Sequence, residues 1–276
     1  MSVLAPPKLL SAEVLGSHQV TVLAVTWQHP FTRQISAIGL LARNLSGTYS
    51  FEYVKNVLTI EDFLPLVGFP DLRKRYESET LFPLFAQRVM DPRRPDYTRF
   101  ITSIGLSDTP SPWEQLSHSG GRRTGDALQL LPVPTPVEGK FDTWEVGFLV
   151  HGMRHIAEKT RNLGDREVAI SRTVQEEALA NLHGGDQLEL LPEANNRINS
   201  KAIVVATISG VPLGYVPDVF SEDLSELPRE NVKCFAEVIN DASAPWHMRL
   251  VAKLVCDVPP NFRFFTSPAW QPIASH

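Results

Sequence analysis

The stretch PEANNRINSKAIVV, residues 192–205, sets Asn195, Asn196, Arg197, Asn199 and Lys201 directly before an apolar β-branched run. These side chains donate and accept hydrogen bonds and carry two positive charges, an inventory suited to phosphate, sugar or base. Asparagine and serine at the mouth of a strand also satisfy their own turn backbone, so turn chemistry and ligand binding both account for the pattern. Upstream, HGMRH places Arg154 and His155 just after a glycine, with His151 four positions before His155. On a strand that spacing leaves the two imidazoles roughly 13 Å apart, too far to share one ion, and no metal site is expected. Three basic clusters, Arg73-Lys74-Arg75, Arg93-Arg94 and Arg122-Arg123, offer partner or phosphate contacts, or an ordinary solvated face.

Other chemistries lack their signatures. SGGRRTGD, residues 119–126, has glycines and arginines but neither the spacing nor the Lys-Ser/Thr of a phosphate loop. No Gly-x-Ser-x-Gly elbow stands out. Paired carboxylates, Glu61/Asp62 and Glu176/Glu177, sit where helices are expected to begin, and the helix dipole accounts for them. The expectation is a protein without catalytic residues or cofactor.

The elements that must position these residues read as mostly strand with a few short helices. QVTVLAVTW and ISAIGLLARN are β-branched extended runs, and Tyr49, Phe51 and Tyr53 alternate as one face of a half-buried strand. TIED looks like a helix start capped by Thr59, with Asp62 in the fourth position, and prolines 65, 70 and 83 chop the next thirty residues or so into short helices. RPDYTRFITSIGL and SPWEQLSHSGG read as two more helices. Prolines 132, 134 and 136 mark a stiff linker over 135–141. This divides the chain into an α+β unit (1–134), a mostly β unit (142–262) and a tail (263–276). In the second unit WEVGFLVHGM, EVAISR, DQLELLP, KAIVVATIS, VPLGYVP, KCFAEVIND and WHMRLVAKLVCD read as strands. TVQEEALANLH and SEDLSELPRE read as helices, the latter capped by Ser221. Many short strands with few helices predict a compact β-barrel.

The 276 residues are 43% hydrophobic and 21% charged, an ordinary globular composition. No apolar run approaches a membrane span, and the first residues lack the pattern of a secretory leader. Cys234 and Cys256 lie in apolar surroundings without ligand spacing, as free thiols of a reducing compartment, so a cytoplasmic location is expected. Charge is uneven: residues 142–262 hold 11 Lys+Arg against 18 Asp+Glu, while residues 1–141 hold 14 against 13. Any nucleic-acid site in the acidic half must therefore be small and local.

The combination VHGMRHI, GDQLELLPEANNRINSKAIVVATISGVPLGYVP and APWHMRL resembles the HIRAN domain over roughly residues 142–260. The resemblance implies a small OB-like β-barrel that, in eukaryotic members, captures the 3′ end of single-stranded DNA. Its Arg-aromatic pair falls on Arg154 and His155, and the asparagine of its Asn-Pro-Tyr-Asp stretch on Asn196. Its base-stacking tyrosine falls on Ile198, and the aspartate that holds the terminal hydroxyl falls on Asn199. By this resemblance Arg154 and Lys201 would contact phosphate, His155 would stack, and Asn195, Asn196, Arg197 and Asn199 would add contacts to sugar, base or backbone. The loss of one aromatic platform removes stacking of about 1–3 kcal/mol per base. IGLLARNLSGTYSFEYV, LFPLFAQRV and GGRRTGDALQLLP are similar to the N-terminal subdomain of HipA toxin kinases, and to the free-standing HipS antitoxin, over about 20–134. That likeness implies a scaffold docking on a protein partner such as a separate kinase, in toxin–antitoxin regulation or phage defence. The alternative is an assembly subunit whose barrel binds protein instead of DNA.

Overall fold

The computed structural model describes residues 22–107, 109–123, 125–194 and 196–273. Asn195, one of the candidate binding residues, lies outside them. Two antiparallel sheets dominate. In the first, strands β1 (Val22–Gln28), β2 (Ile35–Arg43), β3 (Tyr49–Tyr53), β4 (Tyr76–Ser78) and β5 (Leu128–Pro132) lie in the order β4-β3-β2-β1-β5. One-turn α1 (Pro83–Ala86), α2 (Tyr97–Ser103) and α3 (Pro112–Ser119) fill the long excursion before β5. Ser111 and Glu114 form a reciprocal capping box that starts α3, and Gly120 ends it.

Every β1 residue from Val22 to Thr26 is buried because the strand has a core on each side. Leu23 and Val25 pack with Phe51, Tyr53, Phe69, Phe85 and Trp113, whereas Val22 and Ala24 face the opposite way, toward Trp144, Val146 and Phe148. A strand buried on both faces reads as a continuous apolar run, and VLAV is one. β3 departs from the expected half-buried alternation. Its polar residues Ser50 and Glu52 are buried too, because Arg75 folds over them with bonds of 3.1 Å to each.

The helix expected at TIED is absent. Thr59 instead closes a 3-10 turn (Lys55–Thr59), its hydroxyl donating to Asn56 O at 2.8 Å, and Asp62 adopts a φ of 56°. The following segment gives its backbone to Tyr53: Leu66 N donates to the phenol oxygen (2.7 Å), which donates to Phe69 O (2.8 Å). Prolines 65 and 70 reinforce the irregular course. Of the short helices expected there, only α1 forms.

The Pro-rich stretch at 135–141 is extended and pairs: β6 (Thr135–Val137) forms a hairpin with β7 (Lys140–Leu149). After α4 (Met153–Ile156) come the small hairpin β8 (Arg161–Leu163) and β9 (Arg166–Val168), then α5 (Arg172–Ala180). Next are β10 (Gln187–Ala194), β11 (Ile203–Thr207), β12 (Pro212–Tyr215), α6 (Asp218–Ser225), β13 (Val232–Ile239) and β14 (Leu250–Asp257). The sheet order is β12-β11-β10-β13-β14-β7-β6. Ser221, expected as a cap, sits buried inside α6, which starts earlier because Pro217 presets the backbone before Asp218.

One further pairing links the β12 end of that path to the segment just after β7. His151, just past β7, exchanges backbone hydrogen bonds with Tyr215 of β12, at 2.9 and 2.8 Å. The approach is close enough to demand glycines. A Cβ on Gly214 would meet His151 O at 2.5 Å, and one on Gly152, whose φ is 63°, would meet the Tyr215 ring at 2.8 Å.

The final residues return to the first sheet. Trp270 stacks on Phe265 with ring centroids 4.0 Å apart, Pro272 bridges Val54, and Ile273 N donates to Tyr53 O at 3.0 Å. Asn240 Nδ2 also donates to Ser103 O (2.8 Å), so the second half grips the first at several points. Among the described residues no helix is long and apolar enough to cross a membrane.

Candidate functional site

A cleft of about 1100 Å³ opens between the two sheets. Its C-terminal wall is built from the turn after β7 (His151 to His155), the start of β8, the loop after β10 and the end of β12. Its other wall comes from the first sheet: Gln28, Arg33, Ile35, Arg122 and Gln129. The structure thus brings Arg154, His155, Asn196, Arg197, Ile198 and Asn199 together, and adds Arg122 from a distant basic cluster.

At the centre stands Glu193, which is 6% exposed. It accepts from Arg161 Nη1 (2.8 Å), Tyr215 Oη (2.9 Å) and Asn196 Nδ2. Burial pushes its carboxyl up, but the hydrogen bonds from Arg161, Asn196 and Tyr215 outweigh that and hold it below the usual carboxylate range. Arg161 also donates to His155 O (2.8 Å) and lies over the Tyr215 ring at 5.6 Å. This network locks the short hairpin, the His155 turn and β12 into one wall.

The asparagines of the 192–205 stretch are engaged inside the protein. Asn196 Oδ1 accepts from Ile198 N (2.9 Å) and Asn199 N (3.0 Å), while its amide donates to Glu193. Asn199 Nδ2 donates to Asp218 Oδ1 (2.9 Å) and Ser221 Oγ (3.4 Å), and its Oδ1 accepts from Lys201 N (2.9 Å). Both donors of Asn199 are used, so it has little left to offer a ligand. Lys201 faces a neighbouring hollow and pairs with Glu222 at 3.9 Å. Ile198 stands 54% exposed and lines the cleft, as does the exposed His155.

The cations differ from the amides. Arg33, Arg122, Arg154, Lys159 and Arg197 all line the cleft and are exposed. Among the described residues none has an ion-pair or side-chain hydrogen-bond partner. Two buried polar atoms of cleft-lining residues likewise have no partner among the described residues: Arg161 Nε and Gln129 Oε1. Groups of this kind are rare in folded interiors and mark sites where something else completes the bonding.

The imidazoles in the cleft are held neutral at pH 7. Burial, and then the Arg122 charge, takes His151 down to about 3. Burial and then the charges of Arg154, Lys159, Arg172 and Arg161 lower His155, and burial with Arg122 lowers His247. Arg122 keeps an open surface, yet crowding by surrounding protein and the Arg33 charge pull its own pKa down.

The other basic clusters go elsewhere. Arg75 pairs with Glu52 and Glu77 at 3.1 Å each, Arg93 with Asp91 at 2.6 Å, and Arg94 with Asp96 at 2.9 Å. Lys74 lies over the Tyr76 ring at 5.2 Å, Arg73 is exposed, and Arg123 donates to Gln87 at 2.9 Å. None of these six residues lines the cleft. Trp246, which does line it, carries Arg172 and Arg249 over its ring at 4.5 and 5.1 Å and braces the wall. Sequence reasoning does not single out Arg33, Lys159, Arg161, Gln129 or Trp246. The one available signal is APWHMRL, where a tryptophan follows a proline in an otherwise polar turn.

No protein-family model and no curated protein matches the sequence. Among solved structures, a protein from Lactobacillus plantarum overlaps 41% of this chain and 98% of its own, at 16% identity and a TM-score of 0.29. The HIRAN domain of human HLTF overlaps 45% of this chain and 74% of its own, at 12% identity and a TM-score of 0.26. Overlaps of this size carry no weight for function.

Proposed function

We propose that the chain is a non-catalytic nucleic-acid-binding protein whose cleft takes a single strand or a DNA end. One observation carries the reading: five cations that have no counter-charge among the described residues line one cleft of a chain whose net charge is −5. Phosphate neutralisation dominates nucleic-acid affinity, and unpaired guanidinium groups are available for it without breaking an existing ion pair. The neutral His155 ring and the exposed Ile198 offer base contacts in this reading. The second sheet acts as a HIRAN-like barrel closed by the His151–Tyr215 bonds. Saturation of Asn199 argues against its holding a terminal hydroxyl, so the mode of end recognition differs from that of the family's eukaryotic members. Titration of labelled single-stranded and duplex DNA at low salt tests this. Arg154→Ala is expected to weaken binding about tenfold, and equal, negligible binding by wild type and variant overturns the reading.

A second reading concerns the first sheet's loops, where Leu58, Leu64 and Val67 are 64%, 80% and 87% exposed. Large apolar side chains grouped on one segment suit a protein partner, such as a separately encoded kinase in toxin–antitoxin regulation or phage defence. Leu64→Glu with Val67→Glu is expected to abolish co-purification with such a partner and leave DNA binding unchanged. Undiminished co-purification contradicts it.

A further inference from the structure

Arg33 stands in the turn between β1 and β2 with a φ of 64°. The left-handed region strains any residue with a Cβ, and a glycine would occupy this position more cheaply. The turn is tied down around it: Arg33 N donates to His29 O (3.0 Å), and Gln28 Nε2 donates to Arg33 O (3.0 Å). A strained backbone that presents an unpaired guanidinium to a cleft points toward function. Its charge is felt at Arg122, so two guanidinium groups share one end of the cleft, and among the described residues neither has an ion-pair partner. Facing Arg122 are His151 and His247, both neutral, so the positive charge at this end of the cleft rests on the two arginines. The same wall holds Gln129, 6% exposed, whose amide has an unpartnered buried oxygen and whose two ends are interchangeable by a flip.

A backbone phosphodiester carries one negative charge and leaves such a pair half-compensated. A phosphomonoester carries close to two charges and three acceptor oxygens, enough to engage two forks and an amide together. We propose that Arg33 and Arg122, with Gln129, form a phosphomonoester site that receives the phosphorylated end of the strand bound along Arg154, Lys159 and Arg197. The first half of the chain is then part of the binding site. This inference rests on the nucleic-acid reading of the cleft.

The test uses one short, internally labelled oligonucleotide in three forms: 5′-phosphorylated, 3′-phosphorylated, and hydroxyl at both ends. Fluorescence anisotropy at low salt is expected to show wild type binding one phosphorylated form about tenfold tighter than the hydroxyl form, the scale of a charge-assisted contact. The form that gains identifies which end enters. Arg122→Ala and Arg33→Gly are each expected to erase that preference, leaving the phosphorylated form no tighter than the hydroxyl form measured on the same variant. Arg33→Gly also relieves backbone strain, so its thermal midpoint should not fall, which separates lost recognition from lost folding. Equal affinity of wild type for all three forms overturns the inference and leaves the nucleic-acid reading standing. Failure of wild type to bind any form removes both.

Discussion

The two polar walls of the cleft look alike in composition and differ in how far their hydrogen-bonding groups are already used. Around residues 193–201 the described amides and carboxylate are engaged inside the protein: Glu193 accepts three bonds, Asn196 accepts from two backbone amides and donates to Glu193, and Asn199 donates to Asp218 and Ser221. Across the cleft, Arg33 and Arg122 meet no side-chain partner among the described residues, nor do Arg154, Lys159 and Arg197. The first set holds the site's shape; the second is what a ligand would meet. Residue type alone does not separate these roles, because a satisfied asparagine and a waiting one are spelled the same way.

Substitutions should therefore split, with the saturated wall costing stability and the unpaired cations costing affinity. The largest effect belongs to Glu193→Ala, which strands the buried Arg161 guanidinium and is expected to destabilise by about 3–5 kcal/mol in urea unfolding. A loss below about 1 kcal/mol would show that the network is not the wall's anchor. Next is Asp223, whose buried carboxylate accepts from Phe265 N at 2.8 Å and is raised to about 6 by burial. Its folded pKa lies above the unfolded value, so its contribution is fully present below about pH 4 and is lost as pH rises through about 6. Asp223→Asn keeps an acceptor for Phe265 and should stabilise by up to about 2 kcal/mol above about pH 7, with no gain at about pH 4. A gain independent of pH would contradict that.

Asn196→Ala removes the acceptor for two backbone amides and should cost about 1–2 kcal/mol. The smallest expected effect is that of Arg33→Gly, which should leave stability unchanged or raise it, within about 1 kcal/mol. If instead it destabilises strongly, the arginine is structural and the contrast between the walls fails.

The strands were readable where burial imposes a pattern. VLAV, LLAR and IVVAT carry their β character in branched and apolar residues, and α3 declares itself through Ser111, Pro112 and Glu114. TIED misleads because a local capping pattern loses to Tyr53, which lies outside it and takes the backbone bonds. The β8–β9 hairpin is three residues a side and charged, below what periodicity can register. The return of residues 268–273 to Val54 and Tyr53 depends on partners more than 200 positions away, which no window sees. The site divides the same way. Arg154, His155 and Ile198 do line the cleft, and Arg122 joins them, but Arg33, Gln129 and Lys159 become visible only once two distant sheets meet.

The most direct test of the unpaired-cation account is the salt dependence of single-strand binding in wild type, Arg154→Ala, Arg197→Ala and the control Arg93→Ala. Each phosphate contact on a single strand contributes roughly 0.7 to the slope of log affinity against log salt. The account predicts that the slope falls by about that amount in Arg154→Ala and in Arg197→Ala, and is unchanged in Arg93→Ala, whose guanidinium is already paired with Asp91. Identical slopes in all four proteins, or no salt-dependent binding by wild type, would contradict it.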